Sequence, residues 1–387
     1  MKNILVTGGC GFIGSNFIRY LFGAGGNDRT GGNSGNMVGP HFTGRIINFD
    51  KLTYAGNPLN LADIEERFGG ADGRYVFIRG DICDASLVDS IFSDYEIDTV
   101  IHFAAESHVD RSIHGPAEFI NTNILGTFTL LEAARKFWQQ DGASAKSGRE
   151  NHGGSSGGEH LFHHVSTDEV YGSLGEDGYF FETTPYDPRS PYSASKASSD
   201  HLVMSYYHTY GLPVTMSNCS NNYGPYQFPE KLIPLMIFNM VDEKPLPVYG
   251  DGKNIRDWLH VEDHNSAVWD IVRNGRRGEC YNIGGENEWE NIKLVHVLCE
   301  KVAGATGHEK DYYKKLITFV TDRPGHDRRY AINCDKLKNE LGWTRRYTFE
   351  EGLEQTVRWY LNNRKWAESI RTGSYKEWIE RNYGSRV

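Results

Sequence analysis

The chain has 387 residues, of which 41 are basic and 51 acidic, so its formal net charge is −10. This charge, with no long run of Lys or Arg, argues against nucleic acid as the main partner, and no apolar segment has the roughly 18 residues that a membrane span needs. The 6 cysteines lie far apart, without a C-x-x-C pair. This spacing predicts reduced thiols in a cytoplasmic protein and argues against a structural metal site.

The first part of the chain alternates predicted strands and helices. A strand over 3–7 is followed by a helix over 14–22, a glycine-rich flexible loop over 23–44, and strands over 45–50 and 75–79. A helix over 86–93 and a strand over 99–103 come next. They lead to a long amphipathic helix over 117–139, whose apolar face is expected to carry Phe119, Ile120, Ile124, Phe128, Leu131 and Ala134. A second glycine- and serine-rich stretch over 141–158 precedes a strand over 161–165, a helix over 194–210 and a strand over 214–217.

This alternation predicts an α/β protein with a Rossmann-type, doubly wound parallel sheet. Residues 1–217, with the two glycine-rich insertions, are expected to form the dinucleotide-binding domain. After residue 217 the pattern becomes irregular and rich in Pro, Tyr and Asn. Residues 218–387 are therefore expected to form mainly a smaller α/β lobe that binds substrate, with some segments returning to the first domain.

The first strand leads directly into a glycine motif, G-x-x-G-x-x-G, formed by Gly8, Gly11 and Gly14. Such glycines allow a tight turn and close approach of a pyrophosphate to the beginning of the next helix. Asp50, at the end of the second strand, is suited to bind a ribose 2′-hydroxyl and to disfavour a 2′-phosphate. The pattern predicts NAD as the cofactor, and Asp81, after the third strand, is expected near the adenine.

A second motif, Y-x-x-x-K, joins Tyr192 and Lys196 near the start of a predicted helix. Side chains four residues apart share one helix face, and an ammonium beside a phenol is expected to lower the pKa of the tyrosine. Such a tyrosine can remove the proton from a sugar hydroxyl during oxidation. Two carboxylates, Asp168 and Glu169, follow the fifth strand, and a neighbouring acid and base of this kind can eliminate water.

With these motifs the sequence resembles the extended short-chain dehydrogenase/reductase family over roughly 1–22, 45–140 and 160–360. In that family a Ser or Thr joins the Tyr and Lys, and Thr167 matches this position better than Ser166. Longer segments are similar to the nucleotide-sugar 4,6-dehydratases of the family: 50–57, 104–112, 163–172, 218–225, 228–234, 256–258 and 323–330.

The resemblance implies a redox-neutral dehydration of a nucleotide-diphosphate sugar, dTDP-glucose above all. Tyr192, with Thr167 and Lys196, would take the 4-hydroxyl proton as hydride passes from C4 to tightly bound NAD⁺. Glu169 would then remove the C5 proton, Asp168 would protonate the leaving 6-hydroxyl, and NADH would return hydride to C6.

The resemblance and the glycine motif together give the expected binding residues. Those expected at the cofactor are Gly8, Gly11, Phe12, Ile13, Gly14, Asp50, Lys51, Thr53, Asp81, Ile82, Ala104, Ala105, Tyr192 and Lys196. Those expected at the substrate are Ser107, Asn221, Lys231, Tyr249, Arg256, Asn291, Arg323 and His326. Arg256 is expected at the pyrophosphate and Tyr249 against the base. The family also implies a homodimer that pairs the helices over 117–139 and 194–210, although packing of both helices in the core of one chain would explain the same amphipathic pattern.

Three other interpretations of the sequence stay open. The substrate could be another nucleotide sugar. A 4-epimerase or decarboxylase on the same scaffold would share the glycine motif, Tyr192 and Lys196 but would not need Asp168 and Glu169. A catalytically silent NAD-binding regulator would have no need for the complete catalytic set. The histidines at 160, 163 and 164 do not predict a metal site, because neighbouring residues of a strand point to opposite faces.

Overall fold

The structure, a computed structural model, describes residues 1–24, 39–70, 73–140, 160–322 and 325–370. The predicted insertion over 141–158, most of the one over 23–44, and Arg323 lie outside the described residues. Within them, no helix has the length and apolar character needed to cross a bilayer.

The described part of the chain forms strands and helices in the following order. The strands are β1 (Asn3–Thr7), β2 (Arg45–Asp50), β3 (Tyr75–Arg79), β4 (Thr99–His102), β5 (Leu161–Thr167), β6 (Val214–Cys219), β7 (Asn221–Tyr223), β8 (Leu246–Tyr249), β9 (Ile255–His260), β10 (Cys280–Ile283), β11 (Glu288–Glu290) and β12 (Ile317–Val320). The helices are α1 (Phe12–Leu21), α2 (Ala62–Phe68), α3 (Ala85–Tyr95), α4 (Val109–His114), α5 (Pro116–Phe119), α6 (Thr127–Gln140), α7 (Pro191–Tyr210), α8 (Leu232–Val241), α9 (Val261–Asn274), α10 (Asn291–Thr306), α11 (Asp335–Leu341), α12 (Phe349–Asn362) and α13 (Arg364–Ile370).

The central sheet has seven strands in the order β10-β6-β5-β4-β1-β2-β3, and every neighbouring pair is parallel. Its two faces are covered by separate cores. On one face Val6 and Ile46 pack with Phe17 of α1 and Val268 of α9. On the other face Leu5 packs among residues of α3, α6 and α7. Because helices cover both faces, the predicted Rossmann-type, doubly wound sheet is confirmed.

The second half of the chain builds a smaller α/β unit around its own core. Helices α8, α10 and α12 pack there against β8 and β9, with Ile233, Leu298 and Leu353 fully buried. The sheets of this unit are short, with the orders β11-β9-β7 and β12-β8. Strand β10, from this same half, extends the central sheet beside β6.

The helix predicted over 117–139 is interrupted in the structure. A π-helical segment, Ile120–Gly126, separates α5 from α6. The predicted apolar face is only partly buried. Phe119, Leu131 and Ala134 are buried, as expected for core residues, whereas Ile120 and Phe128 are 45% and 44% exposed. The prediction of one continuous face is therefore wrong.

Candidate active site

The glycine turn between β1 and α1 forms one wall of a cavity of about 310 Å³ at the carboxyl edge of the sheet. Gly8 has a positive φ of 70°, and a Cβ on it would lie 2.7 Å from the backbone of Ala104. A Cβ on Gly14 would overlap the carbonyl oxygen of Gly8. Gly11 begins α1 without a side-chain cap, so the first amides of the helix face the cavity. This cradle fits the pyrophosphate of a dinucleotide.

Asp50 lies at the end of β2, beside the glycine turn. Its Oδ2 accepts a hydrogen bond from the amide of Cys10 at 2.9 Å, and its Oδ1 accepts one from the amide of Leu52 at 2.8 Å. Burial raises the pKa of this carboxyl, while the two amides oppose that rise. Each carboxylate oxygen keeps a second lone pair, so the group can still accept from a ribose hydroxyl.

Lys51 and Asp81 form an ion pair of 2.8 Å across the same end of the cavity. The structure brings every residue expected at the cofactor to this one cavity. They meet because the carboxyl ends of parallel strands lie at one edge of the sheet.

The expected catalytic residues line the inner part of this cavity. Thr167 ends β5, and Asp168 and Glu169 begin the 3₁₀ turn that follows. Tyr192 and Lys196 lie in the first turns of α7, which begins with a capping box between Ser190 and Ser193.

Lys196 is buried at the inner wall of the cavity. Its Nζ donates to the carbonyl oxygen of Val165 at 2.9 Å and lies 3.3 Å from Nε2 of His164. The same Nε2 is 3.1 Å from Oδ1 of Asp200. The ammonium thus donates to a carbonyl group and faces the buried imidazole of His164, and the carboxylate of Asp200 lies close enough to favour its positive charge.

The sequence predicted that Lys196 lowers the pKa of Tyr192, but the structure gives the tyrosine a raised pKa. Burial, followed by the charge of Glu169, raises this pKa well above its ordinary value, and a hydrogen bond with Thr167 opposes the rise only in part. The physical reason is that Lys196 is directed at Val165 and His164. In this arrangement the tyrosine is a phenol.

Asp168 has the environment of a neutral acid. Burial and then the charge of Glu169 raise its pKa well above 3.8. Thr167 donates to its Oδ1 over 3.4 Å, and its buried Oδ2 has no hydrogen-bond partner among the described residues. A buried carboxyl whose pKa is raised, with an unpaired oxygen close to Tyr192, is suited to protonate a leaving group.

A second cavity, of about 180 Å³, adjoins the first and extends into the smaller unit. Ser107, Asn221, Lys231 and Glu169 line both cavities, so the two are continuous. The remaining described substrate candidates line the second cavity alone: Tyr249, Arg256, Asn291 and His326.

The polar side chains of the second cavity are held by neighbouring groups. Arg256 donates to the carbonyl oxygens of Ile255 and Asp327 and stacks on Tyr330, with 4.2 Å between the guanidinium carbon and the ring centre. The hydroxyl of Tyr249 donates to Asp110 at 3.2 Å.

The sequence pattern did not single out several residues that line these cavities. Glu230 lines both and is almost fully buried, and Tyr54 lines the first. His164 and Asp200 lie behind Lys196. The signal available for Glu230 was its place in 228–234, one of the segments similar to the nucleotide-sugar 4,6-dehydratases.

Comparison with known proteins places the chain among sugar-nucleotide enzymes. Residues 5–356 match the family model described as GDP-mannose 4,6 dehydratase. The chain is 50% identical to dTDP-glucose 4,6-dehydratase 1 of Escherichia coli, over 99% of both chains. It is 52% identical to the dTDP-glucose 4,6-dehydratase of Neisseria meningitidis, over 97% of this chain and 98% of that one.

Solved structures of similar proteins agree with these sequence matches. A dTDP-glucose 4,6-dehydratase from Bacillus anthracis in complex with NAD superposes with a TM-score of 0.77 at 44% identity, covering 96% of this chain and 100% of that one. One from Streptomyces venezuelae, with NAD and TYD bound, gives 0.79 at 42% identity, with coverages of 95% and 99%. A UDP-glucose 4-epimerase from Thermotoga maritima gives 0.74 at 27% identity, with coverages of 93% and 99%.

Proposed function

Because the chain belongs to the dTDP-glucose 4,6-dehydratases, within the extended short-chain dehydrogenase/reductase family, we propose that it converts dTDP-glucose to dTDP-4-keto-6-deoxyglucose and water. The observation that carries this proposal is the buried Asp168, with its raised pKa and unpaired Oδ2, next to Glu169 and Tyr192. A 4-epimerase has no need for such an acid.

NAD⁺, when bound in the glycine cradle, supplies the acceptor and later the donor of the hydride that moves from C4 to C6. The protein's own groups handle the protons. Tyr192, hydrogen-bonded to Thr167, takes the proton of the 4-hydroxyl, and Lys196 supplies positive charge below it. The phenol found here must therefore release its own proton to solvent water once substrate and cofactor are in place. After each turnover Tyr192 loses the proton taken from the 4-hydroxyl in the same way, and Asp168 regains one from water, so the protons balance.

The C4 ketone makes the C5 hydrogen acidic, and Glu169 removes it. Asp168 gives its proton to the 6-hydroxyl, which leaves as water, and Glu169 returns a proton to C5. Arg256, Lys231, Asn221 and Tyr249 lie in or beside the second cavity, where the nucleotide diphosphate would bind.

The direct test is incubation of the purified protein with dTDP-glucose and NAD⁺, followed by the alkaline absorbance of a 4-keto sugar. We expect product from dTDP-glucose and at least about tenfold lower kcat/KM for UDP-glucose and GDP-mannose, because nucleotide contacts discriminate by roughly 1.4 kcal/mol or more. Interconversion of the sugar's C4 epimers without a keto product would favour the 4-epimerase, and absence of any conversion would contradict the proposal.

We also propose that the chain forms a homodimer through the helices around the π segment. Ile113 of α4, Ile120 and Leu125 of the π segment, and Phe128 of α6 are 38–51% exposed, an apolar set that a second copy of the same face would cover. Leu125→Glu should shift the mass measured by light scattering from dimer to monomer. A dimer unchanged by this substitution would contradict the assignment of this face.

A cytoplasmic location is the last part of the proposal. It is supported by the six cysteines, none of which is paired in a disulfide. Cell fractionation with antibody detection tests it, and recovery in an extracytoplasmic fraction would contradict it.

A further inference from the structure

Three side chains from distant parts of the chain meet between the cofactor cavity and the substrate cavity. Tyr54 lies in the loop 51–57 after β2, Arg111 lies in α4, and Glu230 lies in the loop 227–231 before α8. The hydroxyl of Tyr54 donates to Oε1 of Glu230 at 2.9 Å, and Nε and Nη2 of Arg111 each lie 3.4 Å from its Oε2. We call these three residues the loop clamp.

The contacts of the loop clamp are buried, which makes them strong. The side chain of Glu230 is 1% exposed, so its carboxylate depends on these donors in place of water. The guanidinium carbon of Arg111 lies 3.6 Å from the ring centre of Tyr54, and the ring of Phe228 packs edge-on against the same tyrosine at 5.4 Å.

The loop that carries Tyr54 forms part of the cofactor cavity. Lys51, Thr53, Tyr54, Ala55 and Gly56 all line it. At its far end the amide of residue 57 donates to the carbonyl oxygen of Cys10, inside the glycine turn. The loop cannot swing away from a bound dinucleotide unless Tyr54 leaves Glu230.

The loop that carries Glu230 is anchored without Tyr54. Nζ of Lys231 donates to the carbonyl oxygen of Ser107 at 3.2 Å, and the hydroxyl of Tyr360 donates to the carbonyl oxygen of Gln227 at 2.8 Å. Glu230 is therefore a fixed point against which the cofactor loop closes.

We propose that Tyr54 and Glu230 are positioning residues that keep the cofactor bound from one half of the reaction to the other, by holding the loop 51–57 closed. The proposal rests on the proposed function, because a dehydration that stores the substrate's hydride on its cofactor is aborted if the reduced cofactor escapes. Neither residue belongs to the proposed catalytic set of Thr167, Asp168, Glu169, Tyr192 and Lys196, so we expect their effect to be on cofactor release.

The test compares Tyr54→Phe with Tyr312→Phe. The first keeps the ring against Arg111 and Phe228 and removes only the hydrogen bond to Glu230. The second removes a matched tyrosine–glutamate hydrogen bond of 2.6 Å, from Tyr312 to Glu243, on an exposed surface outside both cavities.

The main measurement is the rate at which labelled NAD⁺ leaves the purified, NAD-loaded protein in the absence of sugar. A hydrogen bond to a buried charge is strong enough that Tyr54→Phe should release NAD⁺ at least about tenfold faster, and Tyr312→Phe at the wild-type rate. During turnover of dTDP-glucose the Tyr54 variant should also lose activity progressively, release reduced cofactor into solution, and recover when NAD⁺ is added. A residue that acts only on stability would lower Tm without changing NAD⁺ release at a temperature where both proteins are folded.

The proposal is overturned if Tyr54→Phe releases NAD⁺ at the wild-type rate, or if Tyr312→Phe accelerates release equally. Because the exchange measurement needs no sugar, it gives a result even if dTDP-glucose proves not to be the substrate. Failure of dehydration by the unaltered protein would instead contradict the proposed function.

Discussion

Replacing Asp168 by asparagine tests whether this side chain is the acid that protonates the leaving hydroxyl. Asp168 is 2% exposed, and burial and the charge of Glu169 raise its pKa well above 3.8, which favours the neutral acid. Asparagine matches its shape and its lack of charge. Among the described residues the carboxyl accepts a single hydrogen bond, from Thr167 over 3.4 Å, so we expect the free energy of unfolding to change by less than about 1 kcal/mol.

Asparagine lacks a proton that it can transfer. A positioned acid or base contributes roughly 10²- to 10⁴-fold to a rate, so we expect kcat with dTDP-glucose to fall by about that factor. Oxidation at C4 depends on Tyr192 and should survive in the variant. Reduced nicotinamide should therefore accumulate on the enzyme while the 4-keto-6-deoxy product does not.

The assay is rapid-mixing absorbance of the reduced nicotinamide, together with the alkaline absorbance of the product. Asp187→Asn is a matched control, because Asp187 is 66% exposed and pairs with Arg189 on the surface. A 6-deoxy-6-fluoro substrate should recover much of the lost rate, since fluoride leaves with less help from an acid. Wild-type turnover by Asp168→Asn, or equal impairment with the fluoro substrate, would refute the assignment.

Three more outcomes are expected. Gly14→Ala forces a methyl group against the carbonyl oxygen of Gly8 and should weaken NAD binding, measured by calorimetry, at least about tenfold. The control Gly304→Ala, whose added Cβ meets no atom within 4 Å, should leave NAD binding unchanged. Equal affinities of the two variants for NAD would contradict the argument that the glycine turn has no room for a side chain. Burial raises the pKa of Asp263 from 3.8 to about 6, so the stability that its proton contributes is lost as pH rises through that range. In urea unfolding, the free energy of unfolding of Asp263→Asn should fall by roughly 2–3 kcal/mol less than that of the wild type over this pH range. If the free energy of unfolding depends on pH equally in both proteins, the carboxyl does not titrate as argued. Lys196→Met removes the ammonium that donates to the carbonyl oxygen of residue 165. The variant should oxidise C4 about 10²-fold or more slowly, as measured by single-turnover absorbance of the reduced nicotinamide. An unchanged rate of C4 oxidation would exclude a role for the charge of Lys196.

The cofactor half of the site could be predicted from sequence because its parts are local or governed by a simple rule. The glycine turn is a short segment whose backbone demands are visible in its residues, and Gly8 and Gly14 are in close contact as expected. Asp50 and Asp81 follow strands of one parallel sheet, and such strand ends meet at one edge whatever the intervening loop length.

Features that depend on packing between distant segments could not be predicted in this way. The hydrogen bond between Tyr54 and Glu230 joins residues 176 positions apart. The pKa of Tyr192 depends on where a buried Lys196 directs its hydrogen bonds, which spacing alone does not determine. The π segment around Leu125 arises in a stretch whose periodicity indicated one regular helix.

The position of β10 has a consequence for how the chain folds as it is synthesised. This strand, Cys280–Ile283, supplies the edge beside β6, which ends at Cys219. A nascent chain that has completed β6 exposes the unpaired amides and carbonyls of that strand until about 60 more residues have been made. At typical rates of synthesis of about 5–20 residues per second, this interval lasts several seconds. The dinucleotide-binding sheet is therefore completed only after α8, β8 and β9 of the smaller unit have left the ribosome, and we expect a fragment that stops at residue 219 to aggregate.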